Sequence, residues 1–277
     1  MTAAIALAQN KTDNPATMPT LIITGGSSGI GAATAQLFAR RGYTVFELSR
    51  HGKDAQNIKH ITCDVTKPED CQRAVSAVVD NAGKIDVLVS NAGFGISGAV
   101  EFTEANEARR QFDVNFFGTV NIVKAVTPYM RRQQHGRIIL VGSMAAVFPI
   151  PFQAFYSASK AAVSAFAHAL RNELRPFGII VSCLLPGDVK TSFTDRRDKN
   201  LAASDIYPAM QRAVAVMEHD EQNGMQPQCI ARKLLQLARR RRPPLYTTAG
   251  LQYHLFAFLN KLLPASLVCR LVGKIYS

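Results

Sequence analysis

Short apolar runs alternate with amphipathic segments along most of the chain. Apolar runs of strand length occur at 21–23, 43–48, 58–63, 87–89, 137–141 and 179–184. Between them, apolar residues recur at helical spacing in segments 32–40, 69–82, 104–132 and 155–177. Strands that alternate with helices form βαβ units, so the pattern predicts an α/β fold with a parallel sheet covered by helices on both faces.

Three segments depart from this repeat. Residues 1–19 are polar and lack both a basic start and a long apolar run, so we expect a disordered leader rather than a secretory signal. Only 13 residues separate Arg50 from Asp64, third strand included, which leaves little room for a helix in the second crossover. Residues 251–277 have helical apolar spacing that is broken at Pro264.

Composition limits the class of protein. With 277 residues, 47% of them hydrophobic and 19% charged, the chain is long enough for one large domain, which we place at 20–250. The five cysteines are scattered and form no Cys-x-x-Cys pair, and the histidines show no metal-ligand spacing. We therefore expect no disulfide framework, no metal site and a reducing, cytoplasmic compartment. No segment reaches the roughly 20 apolar residues of a membrane span.

The net charge of +12 raises the question of a polyanionic partner. A nucleic-acid binder concentrates basic and aromatic residues on one face. Here the basic residues occur in separate groups, at 109–110, 131–132, 196–197 and 239–242. We interpret them as solvated helix surface and expect no nucleic-acid partner, while attraction to anionic cofactors or lipid surfaces stays open.

A glycine-rich loop links the first strand to the first helix, in residues 24–31. Gly25 permits a tight turn, Gly29 allows a diphosphate to approach the backbone, and Gly31 lets the helix pack on the sheet. The N-terminus of the helix supplies free N–H groups and partial positive charge. This position between a strand and a helix favours a dinucleotide-binding loop.

A second motif is the pair Tyr156 and Lys160, with Ser143 lying 13 positions upstream of the tyrosine. Residues four apart on a helix share a face, so the phenol and the ammonium project together. A nearby ammonium favours phenolate and would lower the tyrosine pKa from about 10 towards neutrality. The pair can then exchange a proton with an alcohol or a carbonyl.

Taken together, the motifs resemble the short-chain dehydrogenase/reductase family, including its steroid- and retinol-type members, over about residues 20–192. Residues 24–31 have the family's Thr-Gly-x-x-x-Gly-x-Gly spacing, and the other motifs follow in the family's order: Asp64, Asn91-Ala92-Gly93, Asn115, Ser143, Tyr156 with Lys160, and Pro186-Gly187 with Thr191. The resemblance implies a single Rossmann-type, doubly wound domain and a nicotinamide-dependent oxidoreductase.

The resemblance also implies the role of each catalytic residue. Tyr156 is the acid/base, Ser143 orients the substrate oxygen, and Lys160 lowers the Tyr156 pKa and binds the nicotinamide ribose. Asn115 holds a helix distortion and a water for proton relay. The implied cofactor-binding positions are Gly25, Ser27, Ser28, Gly29, Ile30, Gly31, Ser49, Arg50, Asp64, Val65, Asn91, Ala92, Gly93, Tyr156, Lys160, Pro186, Gly187, Val189 and Thr191.

The end of the second strand decides which nicotinamide cofactor is expected. An acidic residue there would bind the ribose hydroxyls of NAD and repel a 2′-phosphate. This chain has Ser49 and Arg50 instead, with His51 and Lys53 nearby as further donors. We therefore predict NADP(H), although Arg50 as an ordinary loop cation is the simpler alternative.

The substrate side is predicted from the loops that follow the strands. In this family the segment after Pro186-Gly187, here 193–224, covers the pocket as a lid. The neighbouring loops supply apolar residues: Phe94, Ile96, Met144, Ala145, Val147, Phe148, Pro149, Ile150 and Phe152. They favour a hydrophobic alcohol or ketone, such as a steroid, retinoid or fatty-chain compound, although such residues also pack lids and oligomer interfaces.

Two further predictions concern partners. Residues 251–277 either pack on the body of the protein, sealing the pocket, or lie at a membrane surface, which would make the protein peripheral to a membrane. Family members associate through their long helices, so a homodimer or homotetramer is expected. Two rival functions are a non-catalytic cofactor-binding regulator and a surface-binding protein; neither explains the complete catalytic set.

Overall fold

The computed structural model of the chain describes residues 18–200 and 205–276. The described strands are β1 (Thr20–Thr24), β2 (Thr44–Ser49), β3 (Ile58–Thr62), β4 (Val87–Ser90), β5 (Ile96–Ser97), β6 (Gly136–Val141), β7 (Ile179–Pro186), β8 (Asp198–Lys199) and β9 (Tyr246–Ala249). The described helices are α1 (Gly29–Arg40), α2 (Pro68–Ala82), α3 (Ala105–Phe112), α4 (Gly118–Gln133), α5 (Ala154–Leu174), α6 (Ala209–Gln222), α7 (Pro227–Arg239), α8 (Leu251–Leu259) and α9 (Ala265–Tyr276).

Seven of the strands form one parallel sheet in the order β3-β2-β1-β4-β6-β7-β9. From β1 the chain builds outward to β3 on one side, then returns to β4 and builds outward to β9 on the other. The strand order therefore reverses between β1 and β4, and in such sheets ligands bind outside the carboxyl ends of the strands at this point. The predicted Rossmann-type doubly wound fold is confirmed.

Alternating residues of the buried strands serve two cores, one on each face of the sheet. In β1, Ile22 packs into the core beneath α2, α4 and α5, whereas Leu21 and Ile23 pack into the core beneath α1 and α7. All five residues of β1 are buried. A strand buried on both faces has no polar side and reads as a continuous apolar run, which explains why the sequence pattern located these strands.

The predicted short second crossover is confirmed, because no helix lies between β2 and β3 in the described chain. The helix predicted at 104–132 is interrupted: α3 and α4 are separated by a π-helical turn, Asp113–Phe117. The sequence pattern also missed the small parallel pair of β5 and β8, which joins the loop after β4 to the predicted lid. Residues 1–17 of the predicted leader and 201–204 of the lid lie outside the described residues.

Candidate active site

The glycine loop occupies the turn between β1 and α1. Gly25 and Gly29 have positive φ angles of 64° and 52°, which glycine adopts without strain. At Gly31 a Cβ atom would lie 2.1 Å from the carbonyl oxygen of Gly25, so no other residue fits this backbone. Ser28 is the N-cap of α1, while Ser27 beside it is exposed and Ile30 packs towards the core. The loop therefore exposes the N-terminus of α1 at the carboxyl edge of the sheet.

Thr24 and Asn91 hold this loop against the segment after β4. The Thr24 hydroxyl accepts hydrogen bonds from the backbone N–H groups of Asn91, at 2.9 Å, and Ala92, at 3.1 Å. The Asn91 amide nitrogen in turn donates to the carbonyl oxygens of Thr24 and Gly25. Asn91-Ala92-Gly93 thus lies directly against the loop, as the sequence predicts, and the Asn91 side chain positions the loop's backbone.

Tyr156 and Lys160 lie one turn apart on α5, at the same edge of the sheet. The Lys160 Nζ atom is 5.9 Å from the centroid of the Tyr156 ring and donates to the carbonyl oxygen of Val141 at 3.0 Å. Ser143 follows β6, and its hydroxyl accepts a hydrogen bond from the Ala145 N–H at 3.1 Å. The fold therefore brings the three predicted catalytic side chains together.

The electrostatics of the pair differ from the expectation. Burial raises the pKa of Tyr156 to about 12, with the hydrogen bond to Ser143 acting in the opposite direction. Burial also lowers the pKa of Lys160 to about 8. The pKa of Tyr156 therefore moves in the direction opposite to the predicted lowering, because burial removes the phenolate from water, and the Lys160 ammonium donates to Val141 instead.

Asn115 lies inside the π-helical turn and is 1% exposed. Its amide oxygen accepts from the Phe94 N–H at 3.0 Å, and its amide nitrogen donates to the Phe94 carbonyl and the Ser159 hydroxyl, both at 3.0 Å. The side chain thus ties the loop after β4 to α5, beside Lys160. The predicted helix distortion is present at this residue, while the water relay remains a prediction.

The loops after β2 and β3, which the sequence predicts to border the adenosine of the cofactor, lie beside a cleft. A cleft of about 680 Å³ is lined by Ser27, Arg50 and Lys53, among others. The Ser49 hydroxyl donates to the His51 carbonyl at 3.1 Å. After β3, Asp64 accepts two hydrogen bonds from Thr66, and the Val65 side chain packs against Gly118.

Sequence reasoning missed the carboxylate in this cleft. Glu47 is 3% exposed, and its Oε2 atom lies 2.6 Å from Nδ1 of His60 on β3. Its only signal was a charged residue within an otherwise apolar strand. The Glu47 carboxylate is paired with His60. Ser49 and Arg50 therefore remain the residues expected to contact the adenosine ribose at the end of β2.

The segment after β7, which the sequence predicts to border the nicotinamide, packs against the glycine loop and α8. Pro186 ends the strand, Val189 is buried, and Thr191 lies close against Gly29 of the glycine loop. Gly187 carries the ring of Tyr253 from α8, which leaves no space for a Cβ atom. The Tyr253 hydroxyl accepts from the Asp188 N–H at 3.0 Å and donates to the Asp188 carboxylate, whose pKa burial raises. The C-terminal region is thereby attached to the site, a contact that sequence motifs did not indicate.

The lid contributes two arginines that the sequence analysis interpreted wrongly. Arg196 donates to the hydroxyl of Ser28 at 2.6 Å, so it spans from the lid to the N-terminus of α1. Arg197 is 4% exposed and forms an ion pair with Glu221, which also accepts from Thr194. The interpretation as solvated helix surface is incorrect here, because one arginine is buried and neither lies in a helix.

Aromatic contacts connect the lid to the catalytic tyrosine. The guanidinium of Arg197 lies 5.6 Å from the centroid of the Phe193 ring, which is itself 5.7 Å from the ring of Tyr156. Among the predicted apolar lining residues, Phe152 packs against Tyr207 of the lid with centroids 6.1 Å apart, and Phe148 packs against Phe256 of α8. Ile96, Met144 and Ala145 are buried, whereas Pro149 is exposed.

Comparison with known proteins identifies the family. A model described as short chain dehydrogenase matches residues 19–202. The chain belongs to the short-chain dehydrogenase family. It is similar to a 3-ketodihydrosphingosine reductase of Bacteroides thetaiotaomicron, with 38% identity over 90% of this chain and 94% of the relative.

Solved structures of this family agree with the fold. A short-chain dehydrogenase from Streptomyces avermitilis has 26% identity and a TM-score of 0.76, covering 89% of this chain and 93% of that one. A 3-ketoacyl-(acyl-carrier-protein) reductase from Brucella melitensis, complexed with NADH, has 26% identity and a TM-score of 0.69, covering 84% and 97%. The protein is thus an oxidoreductase of a family that uses nicotinamide cofactors.

Proposed function

We propose that the protein uses NADPH to reduce a ketone on a long hydrocarbon chain to the corresponding alcohol. The observation that carries the proposal is the convergence of Ser143, Tyr156 and Lys160 beside the glycine loop, because this set provides both an acid and a positioned hydroxyl. Among the hydrophobic substrate types that fit, similarity to the 3-ketodihydrosphingosine reductase favours the fatty chain over a steroid or a retinoid.

The glycine loop and the residues around it are suited to bind a dinucleotide. Gly25 and Gly29 turn the backbone so that the N-terminus of α1 is exposed, and Gly31 allows this approach. Arg50 and Lys53 in the adenosine cleft would bind a 2′-phosphate, while Val189 and Thr191 would hold the carboxamide. When bound, the reduced nicotinamide supplies the hydride.

Tyr156 would donate the proton to the substrate oxygen. With a pKa raised to about 12, its phenol keeps its proton at neutral pH and is in the acid form that carbonyl reduction requires. The Ser143 hydroxyl would hydrogen-bond the same oxygen and fix its direction. Lys160 would bind the nicotinamide ribose and, through Asn115 at the π-helical turn, connect the proton path to solvent. Proton donation by Tyr156 and hydride transfer from the nicotinamide would together give the alcohol.

A substrate panel tests the proposal. Oxidation of NADPH would be followed at the nicotinamide absorbance with 3-ketodihydrosphingosine, a simple long-chain ketone, a steroid ketone and retinal, each also tested with NADH. We expect the highest kcat/KM for the long-chain ketones with NADPH. Equal efficiency with the two cofactors would contradict the cofactor assignment, and cofactor binding without turnover of any carbonyl would support the regulator instead.

Arg50 provides the matched test of cofactor choice. Arg50→Asp should lower kcat/KM with NADPH by about 10- to 100-fold, since a hydrogen bond to a charged group contributes about 1.5–3 kcal/mol. It should leave NADH nearly unaffected or improved. The control is Arg240→Asp, which reverses an exposed charge in the segment after α7. If both variants behave alike, net charge rather than a phosphate contact determines the preference.

A further inference from the structure

The two C-terminal helices leave a large apolar surface uncovered. Eight of the twelve large apolar side chains that are exposed in the described chain lie between positions 255 and 275. Six of these side chains are 37–65% exposed, and we call this set on α8, α9 and their connection the α8–α9 surface: Phe258, Leu259, Leu262, Leu267, Leu271 and Ile275. A concentration of exposed apolar residues marks a place of contact with a partner or a membrane.

The opposite side of these helices packs on the body of the protein. Tyr253 of α8 is buried on Gly187, and Val268 of α9 is 9% exposed. Tyr276 packs with Val214 and Met217 of α6. The helices are therefore fixed in place with one face inward, so the exposed apolar side chains form a defined outer surface.

The charged residues of the C-terminal segment itself have one sign. From Gln222 to the C-terminus the sequence contains nine lysines and arginines and no aspartate or glutamate. Lys261, Arg270 and Lys274 are exposed on the same two helices and their connection. Two copies of such a surface would bring like charges together, whereas an anionic lipid layer would be attracted to it.

We propose that the α8–α9 surface docks the protein onto an anionic lipid membrane, with its apolar side chains inserted at the level of the headgroups. No helix in the described part of the chain is long and apolar enough to cross a bilayer, so the contact is with one leaflet. Phe256 of α8 packs against Phe148 in the loop after β6, with ring centroids 6.5 Å apart. Helix α8, which carries part of this surface, thus contacts the loop predicted to line the substrate pocket.

Vesicle flotation of the full chain tests the docking without any assay of activity. Vesicles of phosphatidylcholine alone would be compared with vesicles that also contain phosphatidylglycerol. We expect the protein to float with the anionic vesicles, to float far less with the neutral ones, and to be released as salt is raised.

Three variants separate the contributions. Phe258→Ser/Leu262→Ser should lower partition into anionic vesicles by at least about tenfold, since each side chain loses apolar burial. Arg270→Gln/Lys274→Gln should lower it by about tenfold through charge alone, with no loss of apolar surface. The control, Val100→Ser, removes an apolar side chain of similar exposure (56%) far along the chain from this surface and should change nothing. Circular dichroism confirms that each variant is folded.

The proposal fails if the folded parent protein stays off anionic vesicles at low salt. It also fails if the parent sediments as an assembly that Phe258→Ser/Leu262→Ser dissociates while vesicle binding is absent, because a second copy would then be the occupant. Because flotation requires neither cofactor nor turnover, these outcomes are distinct from failure of the proposed reductase activity.

Discussion

Lys160 is a cation held almost without solvent. It is 5% exposed, and its ammonium donates a hydrogen bond to the carbonyl of Val141. Because burial disfavours the charged form, the pKa of Lys160 falls to about 8. The buried ammonium beside Tyr156 therefore lowers the free energy of unfolding of the domain at neutral pH.

This cost leads to a prediction with a defined pH dependence. Lys160→Met should abolish turnover yet raise Tm at pH 7 by roughly 4–8 °C. A pKa about 2.5 units below the ordinary value of 10.5 corresponds to about 3 kcal/mol. About 1 kcal/mol of this is lost again with the hydrogen bond to Val141.

The direction in which stability changes with pH follows from the protons that the folded and unfolded chains bind. Below about pH 8 both folded and unfolded chains carry the proton on Lys160, so the parent bears the full cost. Between about pH 8 and 10.5 the folded state has already released that proton, so the stability of the parent rises with pH. The advantage of Lys160→Met should shrink towards pH 10. A Tm difference that is constant over this range would contradict the assignment. Tyr156, with its pKa raised to about 12, affects stability only above pH 10.

Tyr156→Phe tests the proton donor itself. The variant removes one oxygen, keeps the ring against Phe193, and should lower kcat by about 10²- to 10⁴-fold. Affinity for NADPH, measured by fluorescence titration, should stay within about twofold. Near-normal turnover in this variant would exclude Tyr156 as the donor.

For individual residues, the sequence predicted which catalytic side chains lie together in the fold. It did not predict their pKa values. The spacing of Tyr156 and Lys160 along a helix and the position of Ser143 after a strand are local properties, so they were readable from the chain. The pKa of Tyr156 depends on burial beneath Phe193 and on the direction of the Lys160 side chain. Both are results of tertiary packing, and no spacing rule contains them.

Among the elements, the junction of β1 and α1 is the least tolerant of change. Gly31→Ala should weaken NADPH binding by more than about tenfold and lower Tm, because the new methyl group would overlap the Gly25 carbonyl. The control is Gly273→Ala in α9, where a Cβ meets no atom within 4 Å, and which should be neutral or slightly stabilising. Isothermal titration calorimetry and thermal melts measure both. Equal behaviour of the two variants would contradict the packing argument.

The Arg197–Glu221 ion pair joins the first part of the predicted lid to its last helix, α6, which gives a prediction for that element. Arg197→Met leaves the largely buried Glu221 carboxylate without its cation, at a cost of up to about 3–5 kcal/mol. We expect the lid to lose its internal order, raising KM for the substrate more than it lowers kcat. The double variant Arg197→Met/Glu221→Gln removes both charges and should recover most of the KM change. If the double variant is no better than the single one, the ion pair is not what orders the lid.

The element pattern was predictable wherever burial is uniform along an element, as in β1 and β4. It failed at the π-helical turn, because residues 113–117 keep ordinary helical composition and the insertion is stabilised by Asn115 bonding to Phe94 in a distant loop. It also failed for β5 and β8, whose two-residue strands pair across about a hundred positions of sequence.

For the molecule as a whole, the sequence predicted the fold class, since alternating strands and helices form a parallel sheet covered on both faces. It did not place the C-terminal region, where family motifs end. We also predict a homodimer or homotetramer formed through the exposed sides of α4 and α5. Light scattering should then give a multiple of 30.2 kDa. Phe117→Glu, at an aromatic side chain that is 50% exposed beside α4, should shift the mass to that of the monomer, whereas Val100→Glu should not.

The contact of Tyr253 with Asp188 also bears on synthesis of the chain. These residues are 65 positions apart, with the tyrosine C-terminal to the aspartate. Translation proceeds from the N-terminus at about 5–20 residues per second, so Asp188 is made seconds before Tyr253. Because the Tyr253 ring fills the space over Gly187, we expect the segment after β7 to reach its final packing only after α8 has been synthesised.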